Sequence, residues 1–517
     1  MRLSGDQLQL APTDLSTFVG CRHRTGLELA VAHGALYRPA DEDPYAAILR
    51  RKGAKHEAGY VESLRARGLQ VVTIARDEGP ATVGALAQQA DRTLAAMRAG
   101  TEVIVQARLA HGTMAGYADV LMRVGTASRL GAWSYEAQDT KLARETRGTA
   151  ILQLCAYSEL LAHLQDQLPA HFHIVTPDVV RPVHTFRTAD YMAYYRMVRR
   201  SLETAVAGGH ERLRSEHYPE PVEPCAVCAW EAQCLRRRRQ DDHLSFIANA
   251  GRVHRQELAL QGYSTLAAAA AMAVPVTFTP SRGARETYDR LGDQARVQHQ
   301  QRLSRQPVFE RLPVARGMGL ARLPEPSPGD VFLDLEGARF AREGGREFLF
   351  GVFTRDRYAA WWAVDDREER HAFEAVMDLI LSAWQSDAGM HVYHFNQHEP
   401  TAFKKLVGRH VTRAEALDQL LRAERFVDLH PVAQQAVRCG VESYSIKQLE
   451  QYYSFTRGVA LSNVAQPLLA VELALEAQMP EAISHEIRKA VVAYNEDDCR
   501  STAALRHWLE RLRADAM

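Results

Sequence analysis

Several familiar features are missing from this 517-residue chain. It has no run of 18 apolar residues, so it offers no candidate membrane span. Its first residues are polar and lack the apolar core of a secretory signal, which predicts a cytoplasmic protein. It has no glycine-rich phosphate-binding loop ending in Gly-Lys-Ser or Gly-Lys-Thr, so no ATP site is expected. It also lacks a charge excess, since Lys+Arg and Asp+Glu both total 63. That balance disfavours a passive nucleic-acid coat protein, but an enzyme needs only a local basic channel.

The length and composition predict a globular protein of two or three domains. Hydrophobic residues make up 46% of the chain and charged residues 24%, which are ordinary globular values. We predict an α/β block over residues 1–240, a helical block over 244–305, and a second α/β block over 325–517 after a linker rich in Pro and Gly. A turn that begins at Gly262 is similar to that of helix-hairpin-helix modules; a plain helical spacer is the alternative.

Hydrophobic periodicity predicts the elements of the two α/β blocks. The first block opens with a helix capped by Thr13, and its central strands form hairpins. Its other predicted elements are a helix over 45–66, strands near 69–74, 102–109, 116–124 and 132–141, a helix over 148–163 and a strand over 171–175. In the last block we predict strands over 330–336, 348–353, 358–364 and 390–395, a helix ending near 386, and only helices beyond 395.

The strand near residue 139 carries the first candidate site. Side chains alternate between the two faces of a strand, so Asp139 and Lys141 project together and Glu136 points the other way. A carboxylate can bind a hard divalent ion, and a neighbouring lysine can orient or help to deprotonate the attacking water. Asp119, on the preceding strand, offers a second carboxylate. This pattern suits phosphodiester hydrolysis, whereas a solvated salt bridge is the alternative for an isolated Asp-x-Lys pair.

Two helices add to this pattern. Gln153 and Tyr157 lie four residues apart on one helix face, and His56 lies on an earlier helix. The order Gly-x-x-His, Gly-x-x-Asp, Asp-x-Lys and Gln-x-x-x-Tyr resembles the RecB-type PD-(D/E)xK nucleases over about the first 240 residues. The resemblance implies a restriction-endonuclease-like fold and a Mg²⁺ or Mn²⁺ site. It implies metal ligation by His56, Asp119 and Asp139, and catalytic or supporting roles for Lys141, Gln153 and Tyr157.

Four of the seven cysteines form a second pattern. Cys225, Cys228 and Cys234 fall within ten residues, and Cys21 can supply a fourth thiolate. Disulfides are not expected in a reducing compartment, so clustered cysteines predict metal ligands. One distant cysteine followed by a Cys-x2-Cys-x5-Cys triple resembles the iron–sulfur variant of the RecB-type nucleases, such as the CRISPR-associated adaptation nucleases. That resemblance implies a 4Fe–4S cluster, and zinc is the alternative. We expect the remaining three cysteines to be core residues on apolar helices: Cys155, Cys439 and Cys499.

The last block carries the second candidate site. Asp334 and Glu336 are two apart on a strand, so both project from one face. Tyr494 and Asp498 lie one turn apart on a helical stretch near the C-terminus. Strand carboxylates, a helix carboxylate and a tyrosine suit hydrolysis with two metal ions.

This second pattern resembles the DEDDy class of RNase H-like 3′–5′ exonucleases, over about residues 328–513. The resemblance implies metal ligation by Asp334, Glu336 and Asp498, and a water-orienting role for the Tyr494 hydroxyl. The class has one more acid, for which Glu399 stands in the matching position although Asp is usual there. Asp428 is the competitor, but it is more similar to a structural acid at a strand end.

Together the blocks resemble a family of RecB-like nucleases with an appended RNase H-like domain, some members of which continue into a superfamily 1 helicase. The resemblance implies a metal-dependent DNA nuclease with two active sites, with single-stranded DNA as the expected substrate and a helicase as a possible partner. One alternative is a nucleic-acid-binding subunit with one or both sites inert. Another is a C-terminal domain that processes RNA. The run Arg236 to Arg239 is either a contact to the nucleic-acid backbone or a solvated turn.

Overall fold

The structure is a computed structural model that describes residues 1–4, 7–39, 44–76, 82–143, 146–178, 182–355 and 357–515. The chain forms two compact units, Met1–Arg238 and Arg239–Met517. Within these described ranges, every helix is too short or too polar to cross a membrane.

The first unit mixes helices and short strands. Its elements are β1 (Arg2–Ser4), β2 (Gln7–Gln9), α1 (Pro12–Gly20), α2 (Arg22–Ala32), α3 (Pro44–Ala66), β3 (Val71–Thr73), α4 (Val83–Arg98), β4 (Val103–His111), β5 (Met114–Val124), β6 (Ser134–Thr140), α5 (Gly148–Gln165), β7 (His171–Val175), β8 (Val183–Arg187), α6 (Ala189–Ala207), α7 (His210–Glu216) and α8 (Glu231–Gln240).

A six-stranded sheet in the order β3-β4-β5-β6-β7-β8 organises this unit. Strands β4, β5 and β6 are antiparallel neighbours, which confirms the predicted hairpins, and β6 pairs in parallel with β7. Parallel neighbours need a crossover connection, and α5 supplies it. Helix α5 packs its apolar side chains into the main core with the sheet and α1. The sequence prediction placed α3, α5 and the strands from β3 to β7 within a few residues. It missed three short strands and five helices: β1, β2, β8, α2, α4, α6, α7 and α8.

The start of α1 differs from the prediction. The helix begins at Pro12 with Ala11 as its N-cap residue, so the predicted cap Thr13 is wrong. Proline is favoured at the first helical position because its missing N–H would have no partner there. The Asp14 carboxylate accepts the Ala11 N–H at 2.7 Å and so takes over the capping role.

The second unit begins with helices and then adds a second α/β layer. Its elements are α9 (Arg252–Leu260), α10 (Leu266–Ala270), α11 (Arg285–Ser304), β9 (Phe309–Arg311), β10 (Val331–Ala338), β11 (Arg346–Thr354), β12 (Arg357–Trp362), α12 (Asp366–Ser386), β13 (Val392–His394), α13 (His398–His410), α14 (Ala414–Arg422), β14 (Phe426–Asp428), α15 (Leu429–Ala436), β15 (Val437–Cys439), α16 (Ile446–Leu449), α17 (Ala465–Glu476) and α18 (His485–Ala514).

A five-stranded sheet in the order β12-β11-β10-β13-β14 carries the layers of this unit. The first three strands in the chain are antiparallel, and β13 and β14 join them in parallel. Along β10, Val331, Leu333 and Leu335 enter the core formed with α12 and α13. Phe332 enters the opposite core, which contains α15 and α18. Alternation therefore turns the even-numbered residues of β10, including both acids, toward α18.

Two predictions for the last block are wrong. The chain beyond residue 395 is not only helical, because it also forms β14 and β15, each of three residues. Strands that short show no periodicity. Cys439 is buried as expected, but it lies on β15 and not on a helix.

The helices between residues 244 and 305 have a small apolar core of their own. The Thr265 side chain caps α10 by accepting the Ala268 N–H at 3.0 Å. The arginine run lies in α8 and not in a turn. Within this helix Arg238 is buried and its guanidinium lies 2.5 Å from the Glu231 carboxylate. Arg239 pairs with Glu442.

Candidate active sites

Three acids of the second unit converge. The carboxylates of Asp334 and Glu336 on β10 and of Asp498 on α18 each place an oxygen within 4.8 Å of the other two. Among the described residues, these three are the only His, Cys, Asp or Glu side chains that meet this test. Carboxylate oxygens at such distances suit a hard divalent ion. The structure thus brings together three of the four acids predicted for this site.

The electrostatics of this triad favour a bound cation. Burial raises the pKa of the Asp334 carboxyl well above its usual value, and the charges of Asp498, Glu336 and Glu399 raise it further. Burial likewise raises the pKa of Glu336 to about 8, with a second contribution from Asp498. Two of the carboxylates are half-buried and Asp498 is buried, so a shared divalent ion would relieve their mutual repulsion.

The fourth predicted acid, Glu399, lies in the first turn of α13 and is 2% exposed. It is close enough to raise the pKa of Asp334 but is not one of the three acids within 4.8 Å. Its buried Oε2 accepts no hydrogen bond from the described residues and lies 3.4 Å from His394 Nδ1. A buried carboxylate oxygen without a hydrogen bond fits a metal ligand.

Asp428 is the alternative to Glu399 as the fourth acid, and both of its carboxylate oxygens already accept hydrogen bonds. It accepts the backbone N–H groups of Asn396 at 2.9 Å and His430 at 3.0 Å, and the side chain of Gln397 at 2.8 Å. Asp428 therefore holds the strand end and the start of α15, as expected of a structural acid.

Tyr494 contacts a residue that the sequence interpretation missed. Lys447, on α16, donates a hydrogen bond to the Tyr494 hydroxyl and lies 3.8 Å from Asp498 Oδ2. Burial, followed by the negative charge of Asp498, raises the pKa of Tyr494, so its hydroxyl stays protonated. The hydroxyl can then accept from Lys447 and donate to another oxygen.

A second missed cation is Arg457. Its guanidinium donates to Asp498 Oδ1 at 2.5 Å and to both carboxylate oxygens of Glu450, at 2.6 and 3.0 Å. Asp497, next to Asp498, accepts the N–H groups of Gly458 and Val459 and so anchors the loop that carries Arg457. The two neighbouring aspartates thus have different contacts, and only Asp498 points to the acid cluster.

Asn495 positions the first acid of the triad. Its side-chain amide donates to Asp334 Oδ2 at 2.6 Å, and Tyr358 donates to its carbonyl oxygen at 2.7 Å. A Cβ at Gly351 would lie 1.6 Å from that carbonyl oxygen, so only glycine fits on β11. A glycine inside an apolar strand indicates such a close approach, and that signal could have identified the contact from the sequence.

In the first unit, Asp139 and Lys141 lie together as predicted. Lys141 Nζ is 2.7 Å from Asp139 Oδ2 and donates to Gln153 Oε1 at 3.2 Å. Asp139 is 5% exposed, and burial raises its pKa to about 8, with a further rise from Asp119 and an opposing effect from Lys141. Glu136 faces away and pairs with His173 at 2.9 Å, as expected for the poorer candidate.

The second predicted carboxylate, Asp119, and the imidazole of His56 each contact a neighbouring residue outside the Asp139–Lys141 pair. Asp119 Oδ2 accepts the Thr140 N–H at 2.9 Å and its hydroxyl at 3.0 Å. His56 Nε2 lies 3.2 Å from the Val175 carbonyl oxygen. Within the described part of the chain, His56, Asp119 and Asp139 do not form a group within 4.8 Å. Metal ligation by His56 remains a prediction.

Glu57, next to His56 on α3, is an acid that the sequence interpretation missed. Burial raises its pKa, and Asp119 raises it further, so the two carboxylates are close. Gln106 donates to Glu57 from a left-handed position on β4, where φ is 53°. The pairing of β4 with β5 is interrupted at this residue, opposite Asp119, and the register is the same on both sides. The left-handed backbone of Gln106 thus lies opposite Asp119 while its side chain holds Glu57.

The α5 residues of the first site are held by hydrogen bonds. Gln153 bridges Lys141 and the Ser16 hydroxyl, to which its amide donates at 3.0 Å. Tyr157 donates to the Tyr117 carbonyl oxygen at 2.6 Å. Gln153 therefore contacts the lysine and Tyr157 ties α5 to β5, and their supporting roles in catalysis stay predictions.

The four predicted cluster cysteines line one small cavity. Cys21 follows α1, and the other three lie between residues 225 and 234. Residues from near both ends of the unit therefore line the cavity. All four are half-buried, while Cys155, Cys439 and Cys499 are fully buried elsewhere. The Cys21 sulfur accepts the Arg24 N–H at 3.4 Å, and the Cys225 sulfur accepts the Val222 N–H at 3.4 Å.

Comparison with known families identifies the fold of the C-terminal part of the chain. A family model described as the RNase_H superfamily matches residues 331–510, which include the acid triad, Glu399 and Tyr494. The C-terminal part of the chain is therefore an RNase H-like domain, and its acid triad suits a divalent metal. Such a domain indicates a nuclease-type function with a nucleic-acid substrate. No curated protein matches the chain.

Proposed function

We propose that the protein is a metal-dependent nuclease that hydrolyses phosphodiester bonds of DNA at two separate sites. The observation that carries the proposal is the convergence of Asp334, Glu336 and Asp498 beside Tyr494 in an RNase H-like domain. Single-stranded DNA is the proposed substrate, and a helicase partner would supply it.

At the second site, the proposed reaction is a 3′–5′ exonucleolytic cleavage of the DEDDy type. Asp334, Glu336 and Asp498 would hold the divalent metal, and Glu399, whose charge reaches Asp334, would be a further ligand. Bound Mg²⁺ or Mn²⁺ would activate water and stabilise the leaving oxygen. Tyr494 would orient the attacking water through its hydroxyl, and the Lys447 ammonium would hold that hydroxyl in place.

At the first site we propose a PD-(D/E)xK-type centre. Asp139 and Asp119 would bind the ion, Lys141 would act on the attacking water, and Gln153 would hold the lysine. His56 is the proposed third ligand, and Glu57 is a rival for that position because its charge reaches Asp119. The buried acid with a raised pKa beside a lysine supports this assignment.

We further propose that Cys21, Cys225, Cys228 and Cys234 hold a 4Fe–4S cluster. All four cysteines line one cavity. Burial raises the pKa of the Cys234 thiol, and the charges of Cys228 and Cys21 both raise it further, which supports a shared metal group. Four thiolates also suit tetrahedral zinc, which is the alternative. The cluster would join the two ends of the first unit.

Cleavage of end-labelled single strands tests the function. The protein is incubated with labelled single-stranded DNA or RNA and with Mg²⁺, Mn²⁺ or EDTA. We expect metal-dependent degradation of DNA that EDTA stops. Cleavage of RNA alone would favour the RNA-processing alternative. If neither strand is cleaved with either metal, the protein is better described as a binding subunit.

A further inference from the structure

A basic cavity of about 440 Å³ lies in the first unit, lined by the end of α1, the start of α2, and α6 and α7. None of its lining residues belongs to the two proposed metal sites or to the four cysteines. Its polar lining includes three arginines, two hydroxyls and one carboxylate: Arg22, Arg200, Arg212, Ser201, Thr204 and Glu216. The cavity has the size of a typical small-ligand site.

The charges in the cavity match those of a phosphate group. Arg212 Nε is 2.7 Å from Glu216 Oε1, so one of the three positive charges is neutralised. The Arg22 guanidinium lies 5.1 Å above the Phe18 ring, which leaves its charge unneutralised. Arg200 is exposed and forms no ion pair with any residue in the described ranges. The lining thus carries a net charge near two, whereas a phosphomonoester carries roughly −1.5 to −2 near neutral pH.

The surface of α6 next to the cavity carries exposed side chains on which nucleic-acid bases can stack. Tyr194 and Met197 are 52% and 56% exposed, unusually high for large apolar side chains. Their spacing from Ser201 and Thr204 puts all four on one face of α6, which leads into the cavity. Exposed aromatic side chains beside basic groups are typical stacking positions for the bases of single strands.

We propose that this cavity binds the terminal phosphate of a nucleic-acid strand, whose adjoining bases lie along Tyr194 and Met197. One arginine can donate two parallel hydrogen bonds to two oxygens of a phosphate group, and the Thr204 hydroxyl adds a neutral donor. The Ser201 hydroxyl donates to the Met197 carbonyl oxygen at 2.9 Å. The protein would thereby distinguish phosphorylated strand ends from unphosphorylated ones. This inference rests on the proposed function for the class of ligand, but the binding needs no catalysis.

Fluorescence anisotropy in EDTA tests the proposal, because both proposed metal sites are then silent and cleavage cannot interfere. The probes are single strands of about 20 nucleotides that carry a 5′-phosphate, a 3′-phosphate or no terminal phosphate, each labelled at the other end. We expect one phosphorylated strand to bind about tenfold or more tightly than the unphosphorylated strand, since charge-assisted hydrogen bonds are lost without the phosphate. Equal affinities for all three would overturn the proposal.

Variants of the cavity arginines test whether the preference for a phosphorylated strand arises in this cavity. Arg200→Glu and Arg212→Glu should abolish the preference for the phosphorylated end. Arg98→Glu makes the same charge change at an exposed position outside the cavity and should retain it. If Arg200→Glu, folded by circular dichroism, keeps the preference as Arg98→Glu does, the site is elsewhere. Arg200→Ala serves as a milder variant should the charge reversal disturb folding.

Competition distinguishes a strand end from a free ligand. Adenosine 5′-monophosphate and inorganic phosphate compete with the labelled strand for wild-type protein. Tyr194→Ala should weaken strand binding but leave the competing concentration of inorganic phosphate unchanged, because it touches only the base surface. If the monophosphate binds as tightly as the phosphorylated strand, the cavity is a nucleotide site and the strand-end assignment is wrong. A failed cleavage assay would contradict the nuclease proposal without changing any of these binding results.

Discussion

The two acid clusters of this protein both start from side chains that project from one face of a strand. They differ in how closely their acidic side chains approach one another. In the second unit, β10 and α18 bring three carboxylates within 4.8 Å of one another. In the first unit, the acid on β6 is paired with a lysine, and the acid on β5 is occupied by Thr140. Side-chain alternation therefore decides which residues share a face, but the element that crosses that face decides whether they form a complete metal site.

The difference follows from where the third ligand originates. Helix α18 packs across the sheet and delivers Asp498 directly above β10. The proposed first site would take its third ligand from α3, where His56 contacts a backbone carbonyl and Glu57 accepts a hydrogen bond from Gln106. On this proposal the second site would bind an ion with little rearrangement, whereas His56 or Glu57 would have to exchange its partners at the first.

The largest expected effect tests whether the two sites are independent. Asp334→Ala should reduce the 3′–5′ exonuclease activity by more than about 10⁴-fold, because ion binding fails. The double variant Asp139→Ala with Lys141→Ala should abolish the other activity to a similar degree. Each variant is assayed on 5′-labelled and 3′-labelled strands. If either variant removes all cleavage, the two-site comparison fails.

A slightly smaller effect concerns Tyr494. Tyr494→Phe removes one orienting hydroxyl but no proposed metal ligand, so it should slow the exonuclease step by roughly 10²–10⁴-fold. Metal affinity, measured by calorimetry, should stay nearly unchanged. Asp498→Ala should lower both the metal affinity and the single-turnover rate. A Tyr494→Phe protein that cleaves at the wild-type rate would show that this tyrosine only packs against Lys447.

The cysteine cavity offers a stability test confined to the first unit. Protein purified without oxygen should be brown, with broad absorbance near 400 nm, roughly as thiolate-ligated iron absorbs. Cys228→Ser should lose that colour and at least about 3 kcal/mol of stability, because the bond between the unit's two ends is lost. Colourless wild-type protein with stoichiometric zinc would contradict the cluster assignment.

Cys439→Ser is the matched control. Its thiol is fully buried in the second unit, where a hydroxyl costs roughly 1–3 kcal/mol without a hydrogen bond. The colour should be unchanged, and the melting transition of the first unit should not shift. Equal loss of iron in both variants would show that the colour reports general unfolding.

The sequence predicted the residues whose relationships are local. Alternation on β10 and helical spacing on α18 identified Asp334, Glu336, Tyr494 and Asp498, and three of these converge. The same reasoning paired Asp139 with Lys141. Several long elements, such as α3, α5 and β5, were also predicted, because their apolar periodicity extends over many residues, whereas the long helices α4 and α6 were missed.

The missed residues share a different property. Lys447, Arg457 and Glu57 act through contacts to residues distant in the chain, and none stands in a recognised motif. Their positions depend on tertiary packing, on the left-handed backbone at Gln106, and on the loop anchored by Asp497. No periodicity in a single sequence reports such contacts.

The smallest expected effects decide between the two candidates for the fourth acid. Glu399→Gln keeps the shape of the side chain but removes its charge near Asp334, so the exonuclease rate should fall by about 10–100-fold. The loss should be partly restored at higher Mn²⁺ concentration if the carboxylate binds an ion. Single-turnover cleavage at several metal concentrations measures both.

Asp428→Asn makes the same chemical change at the competing acid. Asp428 already accepts three hydrogen bonds that hold the start of α15, and an amide retains one acceptor oxygen. We therefore expect a stability cost of about 1–2 kcal/mol, with an exonuclease rate within about threefold of wild type. Raising the Mn²⁺ concentration should not alter that rate. If Asp428→Asn instead shows the metal-dependent loss and Glu399→Gln does not, the fourth ligand is Asp428. The strand end would then be part of the active centre, and its hydrogen bonds would have to break whenever an ion binds.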